Sequence, residues 1–176
     1  MERTAAIGFG MASESRTGAL LRTLAASKPG GHLLELGTGT GIATCWLLDG
    51  MDSAAQLVTV DLDASVQSVA SEVLSDDARL TLVTEDAIAF LRRQGRSSFD
   101  LVFADAFPGK YEGLSEALRV VKPGGFYIID DMLPQPNWPA GHAAKVPELI
   151  TQLFARPDFR VTPVAWASGI VIAVKA

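Results

Sequence analysis

Cysteine is almost missing: Cys45 stands alone in 176 residues. No internal disulfide can form, so stability must come from a core, and a reducing cytoplasm is the expected setting. Long apolar runs are missing too. No basic start leads into an extended apolar stretch, which argues against a secretory leader and against a membrane span. Basic clusters are equally scarce, with 15 Lys and Arg against 20 Asp and Glu and a net charge of −5. An acidic chain without a Lys/Arg run is poorly built to grip phosphate backbones, so a small-molecule ligand is favoured over nucleic acid. Repeats, low-complexity tracts and linker-like stretches are absent as well. What is there is 48% apolar residues, enough for one domain over residues 1–176 with a single core.

Strand-like apolar runs alternate with helix-like ones, which predicts an α/β fold, a three-layer sandwich around a mostly parallel sheet. The strands are expected at 32–37, 56–63, 79–86, 99–106 and 125–131. The last two, "DFRVTPVAW" and "GIVIAVKA", lie close in sequence and should pair antiparallel, giving a seven-stranded sheet with an antiparallel last strand. Helices are expected after the first strand, at 64–74, around Ile88, Ala89 and Leu91 on one face, at 114–121 and at 146–154. "KPGG" reads as a breaker and turn before the fifth strand, and "MLPQPNWPAG" as a functional loop. Residues 1–28 are expected to form a cap, with a helix at 17–26 that packs over the sheet or closes the site.

In an open α/β sheet, ligands bind beyond the carboxyl ends of the strands. Gly37, Gly39 and Gly41 end the first strand, Asp61 the second, Asp86 the third, Asp105 the fourth, and Asp130 and Asp131 the fifth. A carboxylate at a strand end is tolerated where water or a ligand reaches it. The glycines let a ligand approach the backbone. Their spacing is G-x-G-x-G, and the third glycine of the dinucleotide fingerprint is replaced by Ile42. The ring of acids also disfavours a pyrophosphate and favours a cationic ligand. Asp61, some twenty residues past the loop, is placed to take two ribose hydroxyls.

The stretches "LLELGTGTGIA", "VTVDLD", "TEDA", "FDLVFADA" and "LRVVKPGGFYIIDD" resemble the successive motifs of class I S-adenosylmethionine (SAM)-dependent methyltransferases. "FADAFPGKYEG", "IIDDML", "MASESRTGALL" and the final "SGIVIAV" are most similar to the small catechol and caffeoyl-CoA O-methyltransferases. The resemblance implies a Rossmann-like sheet, SAM as cofactor, a homodimer and methyl transfer to a hydroxyl of a small, catechol-like acceptor. It implies that Gly37, Thr38 and Gly39 line the methionine part, with Glu35 setting the loop. Asp61 would hold the ribose, Leu62 would lie beside the adenine, and Asp86 and Ala87 would meet its edge. Asp105 would face the methionine amino group, and Met11 would sit near the sulfonium. A divalent cation such as Mg²⁺ would be held by Asp105, Asp130 and Asp131; a strand-end and capping role for the last two stays open beside it.

Two departures stand out. Relatives place Asn where this chain has Asp131, and their catalytic lysine falls at Pro108. Lys110, two residues further on, either reaches the acceptor hydroxyl together with Asp105 or is a solvated loop lysine. His142 reads as a cap or surface residue more readily than as a base. Cys45, Trp46 and Trp166 read as packing residues, and Trp138 as an acceptor wall or a loop anchor. A nicotinamide-dependent oxidoreductase, an aminopropyl transferase and a non-catalytic cofactor-binding protein remain as alternatives on a similar sheet.

Overall fold

The computed structural model describes residues 2–138 and 140–176. Met1, in the expected cap, and Pro139, in the proline-rich loop, lie outside the described residues. Seven strands form one sheet: β1 (His32–Leu36), β2 (Gln56–Asp61), β3 (Leu80–Thr84), β4 (Phe99–Ala104), β5 (Val121–Ile129), β6 (Phe159–Val164) and β7 (Ile170–Lys175). Their spatial order is β3-β2-β1-β4-β5-β7-β6. The first five pair in parallel, and β7 runs antiparallel to both β5 and β6. The strand order reverses between β1 and β4, which opens a crevice at their carboxyl ends.

Side-chain alternation divides the core into two layers. Leu33, Leu101, Phe103 and Ile128 face one side, where they meet α2 (Ser15–Ala26) and α3 (Ile42–Gly50). Leu34, Leu36, Val102, Ala104 and Ile129 face the other, under α5 (Ala87–Arg93), α7 (Leu114–Val120) and α8 (His142–Phe154). α4 (Ala64–Leu74) joins β2 to β3, and a short α1 (Glu2–Ala6) precedes α2. The irregular turn α6 (Phe107–Lys110) follows β4. No helix of the described residues is long and apolar enough to cross a membrane.

Several expectations change in detail. α5 buries Ala87, Phe90 and Leu91, while Ala89 is exposed, so its apolar face is rotated from the expected one. "KPGG" does not precede the fifth strand but lies inside it. β5 already starts at Val121, and Val121–Phe126 bulges against Phe99–Leu101 of β4. The extra residues loop out where Gly124 takes a positive φ of 72°. α8 begins four residues before the apolar periodicity does, after Gly141 at φ 82°. That additional turn carries His142 inward. Cys45 is exposed on α3, not a core residue. α2 packs against α3 and does not close the site; the site is covered by the segment ahead of it.

Candidate active site

The glycine loop leaves β1 through backbone shapes that other residues resist. Gly37 sits at φ 99°, and a Cβ there would lie 2.8 Å from the carbonyl oxygen of Asp105. Gly41 sits at φ 84° and caps α3, with a Cβ position 2.7 Å from Ala70 of α4. Asp61, at the end of β2, ties the loop down. Its Oδ2 accepts the Gly39 N–H at 2.8 Å and its Oδ1 the Asp63 N–H at 2.9 Å. Asp86 caps α5 by accepting the Ala89 N–H at 2.8 Å. The expected acid of the third strand therefore orders the backbone as well as bordering the site.

Behind the loop, Glu35 is fully buried. Its Oε2 accepts the hydroxyls of Thr44 and Thr59, both at 2.5 Å, and Oε1 has no partner among the described residues. Burial pushes this carboxyl up to about 8, against the lowering effect of the two threonines. Thr59 also bonds Thr38 at 2.7 Å, so one hydroxyl chain links Glu35 to the loop.

Residues ahead of α2 lie over the loop, and sequence reasoning missed their contacts. Thr4 donates to Thr40 at 3.0 Å, the Phe9 ring covers Gly39, and Ser13 donates to Asp105 at 3.0 Å. A five-residue α1 carries too little periodicity to announce itself. Met11 and Leu62 are exposed, as apolar walls at a cavity mouth would be.

One cavity of about 530 Å³ runs along this crevice. Gly37, Thr38, Gly39, Asp61, Leu62, Asp86 and Ala87 line one end, with Met11 and Asp105 further along. Glu35 and Gly41 support the loop from behind and do not line it. The far end is aromatic. Trp138 stacks on His142 with ring centroids 4.2 Å apart, and Phe107 and Tyr111 meet the imidazole edge-on. His142 is therefore neither a surface residue nor a cap.

Lys110 is not a solvated loop lysine. It is 4% exposed, its Nζ donates to the Asp130 carbonyl at 2.9 Å, and it lies 3.6 Å from Asp105 Oδ1. Burial raises the Asp105 carboxyl above the ordinary range, with Lys110 opposing the shift. Asp105, Asp130 and Asp131 do come together, around a second cavity of about 390 Å³. Among the described residues no group of three His, Cys, Asp or Glu side chains is arranged to hold a metal ion. Asp130 Oδ1 is taken by the Ser168 hydroxyl and the Asp131 N–H, and the Lys110 ammonium already faces Asp105.

A family model described as a methyltransferase domain matches residues 34–132, from β1 past β5. The chain belongs to this methyltransferase family. A protein of Mycolicibacterium vanbaalenii named "Putative O-methyltransferase" is 35% identical over 133 residues, 73% of this chain and 58% of its own length. One of the same name from Mycobacterium avium is 31% identical over 99% of this chain and 82% of the relative. The chain thus spans little more than half of the first relative. The crystal structure of an O-methyltransferase from Bacillus cereus in complex with SAH matches with a TM-score of 0.85 at 20% identity, over 99% of this chain and 88% of that one. That likeness carries the fold, a Rossmann-like methyltransferase sheet with its last strand reversed.

Proposed function

We propose that this methyltransferase uses SAM to methylate a hydroxyl of a small aromatic acceptor. The observation that carries the reading is one continuous cavity, with a glycine loop and Asp61 at one end and an aromatic box at the other. In-line transfer needs donor and acceptor held face to face in one water-poor space. In this reading Gly37, Thr38 and Gly39 receive the methionine part and Asp61 the ribose hydroxyls. Leu62, Asp86 and Ala87 border the adenine, and Met11 approaches the sulfonium. Asp105 takes the methionine ammonium while Lys110 limits the negative charge that gathers there. The box of Phe107, Tyr111, Trp138 and His142 suits a flat acceptor, because edge and face contacts both favour aromatic rings. A cytoplasmic homodimer completes the proposal, and sedimentation of the purified protein tests its assembly.

The test is methyl transfer from SAM to a panel of phenols and catechols, read by mass spectrometry, in EDTA and again with Mg²⁺. We expect methylation on oxygen. Because Ser168 occupies Asp130 Oδ1 and the Lys110 ammonium faces Asp105, we expect EDTA to change the rate by no more than about twofold. A loss in EDTA that Mg²⁺ restores tenfold or more, on the order seen where a metal polarises the nucleophile, would return a cation to Asp105. Binding of NAD with no binding of S-adenosylhomocysteine would sink the whole reading.

A further inference from the structure

With the Lys110 ammonium held by the Asp130 carbonyl and facing Asp105, the acceptor's proton needs another destination. The aromatic end of the cavity offers one. The Tyr111 hydroxyl and His142 Nε2 are 2.9 Å apart. His142 is 94% buried between Trp138, Tyr111 and Phe107, and its Nδ1 has no partner among the described residues. A buried imidazole with one free nitrogen is an expensive packing residue. We propose that Tyr111 and His142 form the proton relay of the methyl transfer, an inference that rests on the O-methyltransferase reading above.

The direction of the relay follows from its surroundings. Burial and the nearby Lys110 and Lys145 lower the affinity of His142 for a proton, against the opposing pull of Asp131. Burial, with Asp131 behind it, raises the Tyr111 hydroxyl to about 12. Lys145 lies over the Phe107 and Tyr111 rings, 4.8 and 5.6 Å from their centroids. The imidazole is therefore neutral and the phenol protonated near neutral pH. Tyr111 donates to Nε2, which leaves the phenol oxygen's lone pairs toward the cavity and the imidazole proton on Nδ1. As the acceptor oxygen bonds to the methyl carbon, its proton passes to Tyr111 Oη and the Tyr111 proton passes to His142 Nε2. The sulfonium carbon–sulfur bond breaks with its electron pair on sulfur. The products are a methyl ether, a thioether and an imidazolium, which returns its proton to solvent. The positive charge that leaves sulfur thus reappears on His142. Tyr111 is the catalytic residue here, and His142 is the final proton acceptor acting through it.

The experiment compares wild type, His142→Gln and Tyr111→Phe. Calorimetry with S-adenosylhomocysteine, expected to give unchanged affinity, shows that each variant is folded. We expect kcat to fall on the order of 100-fold in both variants, the scale of a lost general base, with KM moving far less. The wild-type kcat should fall below a pH under the ordinary imidazole value of about 6.5, and His142→Gln should lose that acidic limb. NMR gives a readout independent of turnover. The chain has two histidines, His32 and His142, and the His142 resonances should titrate below the ordinary imidazole value of about 6.5, with the neutral-form proton on Nδ1. Unchanged kcat and pH profile in His142→Gln overturn the inference, as does an Nε2-protonated imidazole. A collapse in His142→Gln with full activity in Tyr111→Phe overturns the relay. If the wild type methylates no acceptor, the functional reading falls and the inference falls with it.

Discussion

Replacing Asp61 by alanine is expected to weaken S-adenosylhomocysteine binding by on the order of 100-fold or more, ~3 kcal/mol. Two losses combine. The proposed ribose contact disappears, and charge-assisted bonds of this kind are worth roughly 1.5–3 kcal/mol each. The loop also comes loose, because Asp61 accepts the N–H groups of both Gly39 and Asp63. Gly39 has few backbone restraints of its own, so without Asp61 the ligand must order the loop as it binds. Asp61→Asn separates the two effects. The carboxamide oxygen can still accept one backbone N–H, while its NH₂ group faces the other donor, so an affinity between wild type and Asp61→Ala is expected. Calorimetry on all three proteins decides it, and wild-type affinity in Asp61→Ala would refute the role.

The positions of Asp61 and the glycine loop were legible because they follow local rules. Apolar runs of five or six residues, each ended by an acid or glycine, fixed the strand ends, and the sheet then put those ends side by side. The chemistry at the acceptor end obeys contacts far apart in sequence. Lys110 is buried by its bond to Asp130, and Asp130 is held by Ser168, 38 residues on. Nothing near "DAFPGK" or "IIDDM" carries that information, so a solvated lysine looked reasonable. His142 escaped for a different reason. The apolar spacing of α8 begins at Val146, and the preceding turn is helical only because Gly141 allows a positive φ ahead of it. Cys45 shows the converse: an apolar residue type on an amphipathic helix, but on its solvent side.

Glu35→Gln is expected to make the protein more stable at pH 8 and little different at pH 5. The Glu35 carboxyl lies at about 8 in the fold against 4.5 when unfolded, chiefly through burial. The native state therefore keeps a proton that the unfolded chain has already lost between those values. Stability due to this group is complete below about pH 4.5 and is lost as pH rises toward 8, at ~1.4 kcal/mol per unit. The span allows roughly 5 kcal/mol at most, and relaxation around the buried charge will reduce it. Glutamine fills the same space, and its oxygen still accepts from Thr44 and Thr59. Its NH₂ lacks a partner, but so does the Oε1 side of the protonated glutamate. The two proteins should thus unfold within about 1 kcal/mol of each other at pH 5, while at pH 8 the variant should exceed wild type by about 3 kcal/mol or more. Glu35→Ala should instead destabilise at every pH, because it opens a cavity and strands two buried hydroxyls. Urea unfolding of the three proteins across this pH range measures it, and parallel slopes for Glu35→Gln and wild type would show that Glu35 is not the group that titrates. A carboxylate kept neutral by burial beneath the loop also has a bearing on function. In the proposed complex a cationic ligand lies above it, and that charge favours release of the Glu35 proton. Ligand binding and Glu35 ionisation should then be linked, with protons released to buffer when the sulfonium binds and fewer released in Glu35→Gln.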